Sequence, residues 1–405
     1  MIPDAPRRSI VDGLCGALAR LGPRIALVGL TTLWAPEARG QSPQEAVGAL
    51  LAADERAGQG DLDEAERLYL QALVKAPQWW PAYAVVAEFY AARMRDCASA
   101  APLFDTYIDH VVQPASNHFD TVNAALNCNV KLERWDRALA LTEILREASR
   151  RASDHAGARS MLRRRAEIAL QAGRPQEALG ALERVLFDDY GDVRAHVLRA
   201  RARFALGRHE EALHDFLFVR VTFGRVAFIN LEIGVVLVIL NRYAEAVDAL
   251  RRSIHDDGEA PETYRWLAHA HQELGQAFEA ERSWRRCLEL LGGDDSPLAQ
   301  TVKNNLAWLI ALKSRPGDPA LLEALELSRG VVEATDGQDP TYCDTLAEIL
   351  LRLGRLDEAL GWIRRAQRLE PANPHYGSQL ERFERYSAGF KAGGGRILLE
   401  RWRAP

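Results

Sequence analysis

Apolar positions along this chain recur with a helical step, and the helical stretches themselves recur. Ala178, Ala212, Ala246 and Ala280 stand 34 residues apart. Four residues after each comes a bulky apolar side chain: Leu182, Phe216, Leu250 and Trp284. Five residues before each comes Gly173, Gly207, Asn241 or Gly275, and twelve before comes Ala166, Ala200, Gly234 or Ala268. Four columns sharing one period mark an internal repeat.

Each column has a physical task. The bulky residue lies one helical turn beyond the alanine, on the same face, and fills the space between helices. The alanine sits where two helices cross and a larger side chain would clash. Gly or Asn supplies the left-handed backbone that ends an α-helix. The small residue at −12 lets the first helix approach the second. The spacing predicts an all-α chain of helix–turn–helix units with no strand.

Looser copies extend the array. Gly60-Asp61-Leu62-Asp63-Glu64-Ala65, followed by Tyr69, Ala72 and Pro77, is one. Leu346-Ala347, Leu353-Gly354-Arg355, Asp357-Glu358-Ala359, Ala366 and Pro371 form another, and weaker copies centre on Ala100, Ala138 and Ala324. These residues resemble the tetratricopeptide repeat, and nine copies are expected between about Glu45 and Pro371. The resemblance implies a right-handed superhelical solenoid whose first helices line a concave wall. It also implies a protein-binding scaffold.

Two intervals break the period. Between Ala138 and Ala178 the spacing is 40, with the polar stretch 150–158 absorbing the excess. Between Ala280 and Ala324 it is 44, with Lys313-Ser314-Arg315-Pro316-Gly317-Asp318-Pro319 as an inserted loop. The expected organisation is an N-terminal segment over 1–40, the array over 45–373, a capping helix over 374–390 and a short tail over 391–405. In the tail, Ile397, Leu398, Leu399 and Trp402 are expected to dock on the last repeat.

The first forty residues differ from the rest. Arg7, Arg8, Arg20 and Arg24 precede an uncharged apolar run over 25–35, and Ala38-Arg39-Gly40 follows. Basic, then apolar, then small-x-small is the layout of a secretory signal peptide. The run is about half of the roughly 20 residues needed to span a bilayer. Export to the periplasm or envelope is expected. The alternatives are an uncleaved anchor or a cytoplasmic protein.

Composition narrows the function. The net charge of −5 has its signs interleaved, which argues against a nucleic-acid binder. Cys15, Cys97, Cys128, Cys287 and Cys343 form no C-x-x-C pair and no zinc spacing, so they are expected to be small buried residues. His209 and His214 are five apart, not the four that a zinc-protease helix needs. No P-loop, nucleophile elbow or unexplained carboxylate pair occurs, so no cofactor, no metal and no enzyme activity are expected.

Candidate contact residues come from the wall that the resemblance implies, at −18, −15, −11 and −8 from each alanine and at neighbouring positions. The third to fifth repeats offer Asn123, Asn127, Lys131, Arg163, Arg194 and Arg201, a polar and basic set. Such arginines suit carboxylates or phosphates, which a guanidinium fork binds in pairs. The alternative is that they pair with neighbouring acids such as Glu167. The likeness to the family's carboxylate clamp is partial: Asn127 matches, but Asn123 stands for a lysine and Arg164 for a second asparagine. The sixth repeat offers Phe228, Leu231, Val235 and Val238 on a helix that is apolar almost all round. Arg265, His269, Asn304 and Trp308 lie beyond.

The reading is a scaffold that binds a partner's peptide segment, with an acidic end near Arg163–Arg201 and an apolar side near Phe228–Val238. Self-assembly of the array into homo-oligomers is one alternative. A glycan or small-ligand module using Trp266 and Trp308 is another.

Overall fold

A computed structural model describes residues 43–111, 118–293 and 295–389. The expected signal segment over 1–40 and the tail over 391–405 lie outside the described residues. Nineteen α-helices and one π-helical turn follow one another among the described residues, with no strand. In chain order they are α1 (Pro43–Gly58), α2 (Leu62–Lys75), α3 (Trp80–Phe89), α4 (Cys97–Val111), α5 (Phe119–Lys131) and α6 (Trp135–Arg151). Next come α7 (His155–Gln171), α8 (Pro175–Asp188), α9 (Val193–Ala205), α10 (His209–Phe223), α11 (Ile229–Ile239) and α12 (Tyr243–Asp257). The last are α13 (Pro261–Glu273), α14 (Ala277–Leu291), α15 (Pro297–Lys313), α16 (Ala320–Ala334), α17 (Pro340–Arg352), α18 (Leu356–Leu369) and α19 (Pro374–Gly389).

Along the sequence, odd and even helices are the first and second members of nine successive repeats, and α19 follows the ninth. The chain forms two compact units, one ending at Arg208 and the other starting at His209. Within each unit, paired helices pack along their lengths and each second helix packs on the first helix of the next pair. First helices also touch one another, as α7 does α9 in the first unit and α15 does α17 in the second.

The repeat columns account for this stacking. Ala65, Ala100, Ala138, Ala178, Ala212, Ala246, Ala280, Ala324 and Ala359 all have no exposed surface. Gly173, Gly207, Asn241 and Gly275 all adopt positive φ, between 58° and 75°. There the chain reverses, and Arg174 N–H returns to the Ala169 carbonyl at 2.7 Å to satisfy an end group of α7. Leu182, Phe216, Leu250 and Trp284 are each at most 2% exposed. Asp side chains cap several first turns; Asp154, for instance, accepts from Gly157 N–H at 2.8 Å.

The two irregular intervals are solved differently. The excess between Ala138 and Ala178 lengthens α6 and α7 to 17 residues each, and only Ala152–Asp154 separates them. The excess before Ala324 lengthens α15 to 17 residues and leaves a connector over 314–319.

The −12 column explains one glycine. A Cβ on Gly234 would lie 2.6 Å from Leu250 Cγ and Cδ2. Leu250 has no exposed surface and no room to swing away. Gly234→Val is expected to destabilise the second unit by about 2–3 kcal/mol, through overpacking. Urea unfolding checks this, and an unchanged midpoint would contradict it.

The cysteines correct one expectation. All four in the described residues are buried, as expected, but Cys97 on α4 and Cys128 on α5 form a disulfide. Their Cα atoms are 5.0 Å apart. Cys287 and Cys343 remain free and buried, and burial pushes both thiols up to about 11. They are protonated and unreactive at neutral pH.

Among the described residues, no helix is long and apolar enough to cross a membrane. None of their His, Cys, Asp and Glu side chains gather in groups of three or more that could hold a metal ion.

Candidate interaction surface

In the first unit the candidate residues lie on α5, α7 and α9. Asn127 and Lys131 are exposed and bond no other side chain among the described residues, whereas Asn123 is half-buried. The arginines behave differently. Arg163 Nη1 donates to Asp192 Oδ2 at 2.6 Å, and Asp192 itself caps α9 by accepting from Ala195 N–H at 3.0 Å. Arg163 therefore braces a helix terminus. Arg194 pairs with Glu167 at 2.6 Å, and Arg164 donates to the same carboxylate at 3.3 Å. So the alternative of pairing with Glu167 holds for Arg194, and an acidic ligand must join or displace an existing network there. Arg201 is exposed.

Arg165 and Arg199 sit where the repeat normally buries a large apolar side chain. Arg165 packs its stem and donates to the Leu139 carbonyl at 3.0 Å; Arg199 reaches His196 Nδ1 at 3.4 Å. The long stems fill the column while each head finds a polar neighbour.

In the second unit the candidates lie on α11, α13 and α15. Phe228 sits at the α11 N-cap with φ of 63° and is 57% exposed. A bulky residue in the left-handed region is strained. Its N–H donates to Asp257 Oδ2 at 3.1 Å, which holds the turn. Leu231 and Val235 are half-buried. On α13, Arg265 lies 4.4 Å from the Trp266 ring centre and forks onto Glu262, which also accepts from Trp266 Nε1 at 2.8 Å. One face of Trp266 is therefore covered, which removes half of the platform a sugar would need. His269 is exposed and Trp308 half-buried.

Two candidates do not stand on any exposed wall. Val238 is 3% exposed because α11 packs against α10, α12 and α13 and is covered on several sides. Asn304 is 4% exposed because the lengthened α15 shifts the register of that repeat.

The helix pairs, the buried alanine column and the left-handed turns agree with the comparisons. The family profile described as "Tetratricopeptide repeat" matches residues 163–217 and 346–374. Those two stretches carry the tetratricopeptide repeat. Repeats of this kind mediate contacts between proteins. No curated protein matches the chain. Several solved structures are similar to parts of the chain at low identity. A tetratricopeptide-repeat protein from Parabacteroides merdae is 12% identical, covering 64% of this chain and 97% of its own, with a TM-score of 0.44. PilW, described as a widely conserved type IV pilus biogenesis factor, is 18% identical, covering 55% and 98%, with a TM-score of 0.47. YrrB, described as having an unusual peptide-binding site, is 17% identical, covering 50% and 98%, with a TM-score of 0.41.

The tetratricopeptide repeats of the second unit also carry an ion-pair ladder that sequence reading missed. Arg285 on α14 reaches Glu323 on α16 at 2.6 Å, Arg329 on α16 reaches Glu358 on α18 at 3.4 Å, and Arg364 on α18 reaches Glu384 on α19 at 2.9 Å. The arginines stand five residues after their repeat alanines, and Glu323 and Glu358 stand one before theirs. A signal was present in the repeat columns, in positions usually read as solvated surface.

Proposed function

We propose that this tetratricopeptide-repeat protein is a non-enzymatic scaffold, exported in a bacterium, that supports assembly of an envelope, secretion or polysaccharide-export complex. It does so by holding a partner's peptide segment along the exposed faces of its first helices. The observation that carries this reading is the exposure of Asn127, Lys131, Arg194 and Arg201 in one unit and of Phe228 and His269 in the other. Polar side chains recognise the peptide's carboxylates and amides, and Phe228 with Leu231 and Val235 takes an apolar side chain.

Two features support export. One is the basic–apolar–small layout of residues 1–40. The other is the Cys97–Cys128 disulfide, a bond that persists in oxidising compartments and is rare in reducing ones.

The test uses a partner captured on the wild-type protein from separated envelope and cytosolic fractions. Arg201→Glu and Lys131→Glu are expected to weaken its binding roughly tenfold or more, with unchanged thermal unfolding. Wild-type affinity in both variants would overturn the assignment of the first-helix faces.

A further inference from the structure

The ladder of the second unit is open at one rung. Arg251 on α12 and Glu279 on α14 occupy the columns that pair at the next two steps, yet among the described residues they form no ion pair. Instead both line a cleft of about 590 Å³, with Ile254, Leu267, Phe278 and Arg282. Phe278 is 71% exposed. Arg251 and Arg282 are exposed, and neither bonds a carboxylate among the described residues. The remaining arginines of the cleft are satisfied: Arg285 by Glu281 and Glu323, and Arg286 by Glu289 and Glu259. The cleft thus combines the apolar Ile254 and Leu267, an exposed aromatic ring and, unpaired among the described residues, two guanidinium groups against one carboxylate, that of Glu279.

The first unit presents the complementary chemistry. Phe187, in the last turn of α8, is 90% exposed, the most exposed large apolar side chain among the described residues. Asp188 beside it is exposed and bonds no other group there. Asp189 and Tyr190 follow, with Tyr190 63% exposed. An aromatic ring next to an unpaired carboxylate suits a cleft in which two unpaired guanidinium groups face the single unpaired carboxylate of Glu279.

We propose that the cleft receives the Phe187–Asp188 segment of a second copy of this chain. Phe187 packs against Phe278 and Ile254, and Asp188 lies between Arg251 and Arg282. Because the two surfaces differ, the contact is heterologous: each copy keeps one unused head and one unused cleft, and copies add head to tail.

The experiment is sedimentation analysis of the full chain over a range of concentrations, with two surface variants. Asp188→Arg spoils the head and leaves the cleft; Arg251→Glu with Arg282→Glu spoils the cleft and leaves the head. The wild type is expected to associate with rising concentration beyond a dimer. Each variant alone is expected to weaken association roughly tenfold or more. Their mixture is expected to form a one-to-one dimer that grows no further, since it has one good head and one good cleft to join. Circular dichroism verifies that both variants keep wild-type helicity. A wild type that stays monomeric overturns the proposal. So do variants that associate like the wild type, and so does a mixture that remains monomeric. None of these outcomes touches binding at the first-helix faces, which has its own test above.

Discussion

Arg352→Met is expected to lower stability by about 3–5 kcal/mol, the largest loss from any single substitution considered. Arg352 is 1% exposed at the end of α17. Its Nε donates to Glu348 at 2.7 Å, and its Nη1 donates to the Ala311 carbonyl at 2.6 Å and the Ser314 carbonyl at 3.2 Å. One side chain thus fastens α17 to the end of α15 and to the inserted connector. Glu348, 3% exposed, also pairs with Arg382 on α19. Removing Arg352 leaves a buried carboxylate with one cation fewer and takes a donor from two carbonyls, of which Ala311 keeps the Ser314 N–H at 3.3 Å. Most of the loss is the cost of that underpaired charge. Glu348→Gln in the Arg352→Met background should therefore recover part of it. Urea unfolding followed by fluorescence and far-ultraviolet circular dichroism measures both. A loss below about 1 kcal/mol would mean that the pair is incidental.

Breaking the Cys97–Cys128 bond is expected to cost the first unit about 3–4 kcal/mol, from the conformational freedom returned to the unfolded chain when a loop of 31 residues' separation is opened. The double variant Cys97→Ser with Cys128→Ser should unfold at the same urea concentration as the reduced wild type, and both below the oxidised wild type. Thiol titration gives the independent check. In the denatured chain, reduction should add two titratable thiols, those of Cys97 and Cys128. A thiol count that reduction leaves unchanged would remove both the bond and its support for export.

The repeat was legible because its columns are steric. Ala178 and its eight counterparts can be nothing larger at a helix crossing, and Gly173 or Asn241 must turn left-handed, so residue type reveals place. Gly234 belongs to the same group: its column asks for a small residue, and Leu250 makes glycine necessary. The contact residues were less legible. Exposure of Asn127, Lys131, Phe228 and His269 followed from register, but Val238 and Asn304 are covered by neighbours that register alone does not place. Arg163 looked available because its partner, Asp192, lies 29 residues away in the chain, whereas Glu167 was already the alternative partner and takes Arg194. The disulfide and the Arg352 cluster escaped for the same reason. Both join residues of neighbouring repeats, and the 34-residue comparison aligns repeats without saying which side chains meet between them.

If first-helix faces hold a partner protein, residues on those faces lie against it. Site-specific photocrosslinking in living cells tests this most directly. A photoreactive residue is placed at Asn127, Arg194 or His269 on first helices, and at exposed Gln71 or Glu326 on second helices. The predicted result is an adduct to another protein, recovered from the envelope fraction, from the first-helix positions alone. Adducts from Gln71 and Glu326 with none from the first helices would contradict the account.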